Sequence, residues 1–120
     1  MATRSTIALV KNDGTVNQIY CHWDGDLAGV GLTLEQFYAS NYDKMVKLMK
    51  FGDIAELGEY LENTRLIECG EKAKAFGSLD NFMAYRDIQE FNYVVKDNRL
   101  YTVINDNLVT FDDSIALELA

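Results

Sequence analysis

The chain has 120 residues, with 19 acidic against 11 basic side chains for a net charge of −8, and 48% of it is hydrophobic. That length buries a core without staples, and the charge leaves no basic patch to displace counterions from a phosphate backbone, so nucleic acid is not an expected partner. No apolar run reaches the ~20 residues that span a bilayer, and the stretch after Met1 is too short for a secretory signal, so no membrane contact and a cytoplasmic location are expected.

One domain over residues 1–120 is expected. Cys21 and Cys69 lie far apart and read as reduced thiols. With a single His, they offer too few ligands for a metal site, and no cofactor is expected. The acidic surface suits solubility and a basic partner.

Residues 5–10, STIALV, read as a strand, KNDG as a turn with Gly14 at positive φ, and residues 15–23 as the returning strand of a hairpin. Alternation puts Ile19, Cys21 and Trp23 on the core face and Gln18, Tyr20 and His22 on the other. The three-glycine loop DGDLAGVG comes next, and then a capping box of Thr33 and Gln36 opens a helix that packs Leu34, Phe37 and Tyr38. A second helix carries Met45, Val46, Leu48 and Met49 as core residues and stops at Gly52. Asp53 and Glu56 read as another capping box, starting a short helix that runs to Leu61. TRLIECG reads as a strand, and Ser78 caps a helix over LDNFMAY. The segments FNYVVK, RLYTVI and LVTF form a meander around Asn/Asp turns. The sum is α+β: an antiparallel sheet, made of the N-terminal hairpin and the C-terminal meander, with short helices packed on one face.

The stretches TRSTIAL, DGTVNQIYCHWDG, KLMKFGDIAELG, SLDNFMAY and IQEFNYVVKDNRLYTV, in that order, resemble a family of small tailed-phage accessory proteins that carry an IYCHWDG motif. The likeness covers residues 3–61 and 78–104. It breaks in the middle, where the family has a YxRDRGE run and this chain reads TRLIECGEKAKAF, keeping only Gly70 and Glu71. The resemblance implies a virus-encoded accessory protein working in the cytoplasm of a bacterial host. It brings no activity with it.

The segment YCHWDGDLAG concentrates the candidate chemistry. His22 with Asp24 could serve as a base and its orienting carboxylate, although a hydrogen-bonded structural His is the commoner use of such a residue. Trp23 reads as core, or as a platform on which a base stacks. Gly25, Gly29 and Gly31 could present backbone N–H groups to an anion, with Arg4 and Arg65 as phosphate partners, or could serve only a tight turn. Asp53, Glu56, Glu59 and Glu62 recur at every third residue, which on a helix makes an acidic stripe for a basic protein partner or a plain solvated face.

Three functions are weighed on these grounds. The first is an inhibitor that binds a host antiviral-defence protein directly, because it asks least of the residues. The second is a sponge for a nucleotide second messenger, held by the CHWDG loop. The third is a small hydrolase using His22 and Asp24. The first reading is not enzymatic, and a homo-oligomer stays open.

Overall fold

Ser5 through Leu9, five consecutive residues of β1 (Ser5–Val10), are all buried. A strand closed off on both faces needs cover on both sides, and that requirement organises the molecule. The computed structural model describes residues 2–119. β2 (Val16–Cys21) returns antiparallel to β1 with Ile7 opposite Ile19, through a turn in which Gly14 has φ 87°. On the other side of β1, β6 (Phe91–Lys96) runs parallel, with Ser5 opposite Phe91 and Leu9 opposite Val95. β7 (Arg99–Ile104) and β8 (Asn107–Thr110) continue the sheet antiparallel. Their two tight turns place Asp97, Asn98, Asn105 and Asp106 at positive φ, as two-residue hairpin loops require.

The outer edge of β2 is divided. β5 (Lys74–Phe76) pairs with its first half, while β3 (Ile54–Glu56) joins at Cys21 and is flanked outward by β4 (Arg65–Leu66). The architecture is the expected α+β, with eight strands in a mostly antiparallel sheet and four short α-helices among the described residues. Ile7, Leu9, Ile19, Tyr93 and Val95 meet Leu34 of α1 (Leu32–Phe37), Met45, Leu48 and Met49 of α2 (Tyr42–Phe51), and Phe111 of α4 (Phe111–Leu119). A smaller cluster of Ala8, Val16 and Val94 lies under Phe82 of α3 (Leu79–Tyr85), so this helix covers the opposite face.

Three local readings are corrected. Residues 53–61 form no helix; β3 occupies 54–56, and a 3₁₀ turn, Leu61–Asn63, comes later. Asp53 does not cap a helix, because its carboxylate accepts the amides of Tyr20 (3.0 Å) and Glu71 (3.1 Å), and tertiary pairing outweighs a local signal. The first helix starts before Thr33: a π-helical turn, Leu27–Gly31, runs straight into α1, with Asp26 in extended conformation ahead of it. Phe111 ends no strand but opens α4, where Thr110 Oγ1 accepts the amide of Asp113 at 3.3 Å. Capping is as expected at Ser78, which accepts the amide of Asn81, and the second helix opens on a cap at Asn41, which accepts the amide of Lys44.

Buried polar groups tie distant segments together. Thr6 Oγ1 donates to Asn92 Oδ1 at 2.9 Å across the parallel pair. The Gln18 side-chain amide clasps the backbone of Asp87 with two 3.0 Å bonds. Tyr93, fully buried, donates its hydroxyl to the Gly25 carbonyl at 2.7 Å. No helix among the described residues is long and apolar enough to cross a membrane.

Tyr93→Phe should leave that carbonyl without its partner inside the protein and cost about 1–3 kcal/mol. Urea unfolding measures it; an unchanged midpoint would show that the bond does not hold the loop to the sheet.

Candidate functional site

β2 ends at Cys21, and the path of the next three residues decides where the motif's side chains go. His22 and Trp23 still donate their amides to the carbonyls of Ile54 (3.1 Å) and Ala55 (3.0 Å) of β3. Asp24 then adopts φ 57° and turns the chain away from the sheet. Trp23 therefore does not join Cys21 in the core. It is 42% exposed, which corrects the expected inward placement; alternation ceases to apply where the strand stops. His22 does take the expected side: its Nδ1 is 2.7 Å from the Tyr20 hydroxyl, and its ring packs edge-on against the Trp23 indole at 5.0 Å. The bonded partner of His22 is thus Tyr20, and no hydrogen bond joins it to Asp24 among the described residues.

Beyond the turn lies a cavity of about 280 Å³, walled by Trp23, Asp24, Asp26, Val30, Thr33 and Leu57. The candidate anion-binding amides are already engaged: Val30 N–H donates to the Asp24 carbonyl at 2.7 Å, and those of Gly29 and Gly31 donate to that of Asp26. The glycines answer to packing. A Cβ on Gly29 would collide with the Asp24 carbonyl, one on Gly25 would come 2.7 Å from Ser5 Cβ, and one on Gly31 would come 2.8 Å from the Phe111 ring. Arg65 is bound to Glu56 at 2.8 Å, away from this cavity, and exposed Arg4 lies at the start of β1, where its charge reaches the Tyr20 phenol. The structure does not bring either arginine into the cavity wall.

The acidic residues of 53–62 form no stripe. Asp53 fastens backbone, Glu56 pairs with Arg65, and Glu59 and Glu62 are exposed in the loop and 3₁₀ turn beyond β3. Glu59 contributes its carbonyl, which accepts from Lys44 Nζ. That ammonium lies 3.9 Å from the centre of the Tyr38 ring, and burial holds its pKa below the ordinary lysine value. Cys21 and Cys69 are both free, the first buried and the second exposed. Among the described residues, no group of three or more His, Cys, Asp or Glu side chains is placed to hold a metal ion.

A second feature escaped the sequence reading. Two shallow grooves, about 430 and 300 Å³, flank α4 and share Leu27 and Glu118. Leu32, Leu117 and Leu119 stand out from their walls at 40%, 59% and 83% exposure. The Thr110-x-x-Asp113 capping pattern and the Phe111–Ile115 spacing were the signals that could have revealed the helix. Compared with protein-family models, with curated proteins and with solved structures, the chain matches none.

Trp23→Ala should cost only about 1 kcal/mol, against ~3–5 for a buried Trp, and melt close to the parent. A loss of the larger size in thermal melting would return Trp23 to the core. Burial also pushes the Cys21 thiol from its ordinary 9.0 up to about 11, so the native state holds this proton more tightly than the unfolded chain does. The stability tied to it is intact at neutral pH and is lost as pH climbs from about 9 to about 11. An aromatic disulfide reagent should therefore titrate Cys69 alone in the native protein and both thiols after denaturation. Rapid reaction of both in the native protein would contradict the burial.

Proposed function

We propose that the protein acts by binding: it contacts a host bacterial protein directly and inhibits a component of antiviral defence. The face around α4 carries the reading of contact. Contiguous apolar surface rimmed by polar groups is uncommon on a protein that associates with nothing. The host and the defence setting rest on the sequence resemblance to tailed-phage accessory proteins, and a bacterial cytoplasm is the location that goes with it.

The charge of the rim favours a basic partner. Glu90 and Glu118 line the grooves, and no Lys or Arg is among the lining residues. Nearby, Glu35 is held above the ordinary carboxylate pKa by burial and then by the like charge of Asp112. A partner surface with an apolar centre and basic flanks relieves that crowding. A second copy of this chain would instead bring carboxylates against carboxylates.

The other two readings draw less support. A nucleotide's phosphates would meet the carboxylates of Asp24 and Asp26 in the Trp23 cavity. A hydrolase would need Asp24 to orient His22, but the group bonded to His22 is the Tyr20 hydroxyl.

The test is phage plating on bacterial strains that each carry one defence system, with and without the protein. Plating should recover on at least one strain. Leu117→Glu combined with Leu119→Glu should fold normally, since exposed sites shift stability by only about 0.5 kcal/mol, yet lose the rescue. No rescue on any strain would defeat the defence role, and full rescue by the double variant would move the contact elsewhere.

A further inference from the structure

We infer that the segment docking along α4 places an arginine or lysine side chain in the Trp23 cavity. The inference rests on the reading of α4 as a partner-binding face and adds what that partner must carry. Ala28 lines both the cavity and the groove beside Leu32 and Leu119, so one continuous surface leads from the apolar face to the indole. A chain lying along the groove passes Ala28 to reach the cavity.

The cavity wall selects a cation. Its aromatic side is the Trp23 indole, which attracts positive charge at its face. His22, itself bonded to Tyr20, packs edge-on against this ring, a contact that braces the platform. Asp24 and Asp26 line the same cavity, and among the described residues neither carboxylate has an ion pair or a side-chain hydrogen bond. Thr33 adds a hydroxyl acceptor at the wall. No basic residue lines it, so the cation has to come from outside. At about 280 Å³ the space falls just under the ~300–1,000 Å³ of whole small-molecule sites, which fits one side chain better than a nucleotide. Arginine suits it best, because a planar guanidinium can stack on indole while its N–H fork meets carboxylates.

Trp23 is the only tryptophan of the chain, so its fluorescence reports on this cavity without a label. The probes are two synthetic amphipathic peptides with leucines along one face, identical except that a terminal arginine in one is citrulline, its uncharged isostere, in the other. The arginine peptide should bind about tenfold more tightly and shift the Trp23 emission. That advantage should shrink with added salt and vanish in the Asp24→Asn, Asp26→Asn double variant. Equal binding of both peptides, lost in Leu117→Glu with Leu119→Glu, would keep the α4 face and overturn the cation site. If neither peptide binds, N-acetyl-arginine methylamide alone decides. An emission shift that needs Asp24 and Asp26 would uphold the cation site and remove the α4 reading; no shift would overturn both.

Discussion

The parallel pairing of β1 with β6 governs the rest of the molecule. Ser5 lies opposite Cys21 on one side and opposite Phe91 on the other, so the long connection from residue 22 to residue 90 leaves β2 and enters β6 at the same end of β1. The pairing is held by more than its ladder. Thr6 reaches Asn92 across it, and Tyr93, two residues into β6, holds the Gly25 carbonyl. Closing contacts so distant in sequence costs chain entropy, which the two apolar layers over β1 offset.

That pairing is also where the sequence is silent. Alternation along STIALV and FNYVVK identifies strands but does not say which neighbour each takes. Thr6 and Asn92, the buried polar pair that matches them, read as surface residues when met singly. Signals confined to a few neighbouring residues were legible: Gly14 at its turn, Ser78 at its helix, and the Asp97-Asn98 and Asn105-Asp106 loops. Where a local signal competed with a distant partner, the partner prevailed. Asp53 satisfies the amides of Tyr20 and Glu71 instead of capping a helix, and Ile54 is drawn into pairing beside Cys21.

The same competition redistributes the charge. Carboxylates that look like a single recognition stripe in one dimension are engaged separately, with backbone amides at Asp53 and with Arg65 at Glu56. Meanwhile carboxylates from widely separated segments, Glu35, Glu90, Asp112 and Glu118, come to lie around one apolar face. A net charge of −8 therefore says little about recognition until the fold assigns its location.

The motif IYCHWDG is best understood as a device that ends a strand and displays a side chain. Ile19 and Cys21 anchor it in the core, with the thiol too deeply buried to act as a nucleophile. Tyr20 and His22 share the opposite side of β2, and their hydrogen bond braces the neighbouring indole. Asp24 supplies the left-handed turn, a conformation that Asp accepts more readily than most residues, and so ends the pairing with β3 directly after Trp23. Gly25 lets the turned chain lie against Ser5, where the Tyr93 hydroxyl fixes it. A tryptophan intended only for the core would need none of this bracing, because burial alone would hold it. The ring is instead left 42% exposed on that support, beside the unpaired carboxylates of Asp24 and Asp26, and this juxtaposition is what the proposed cation contact draws on.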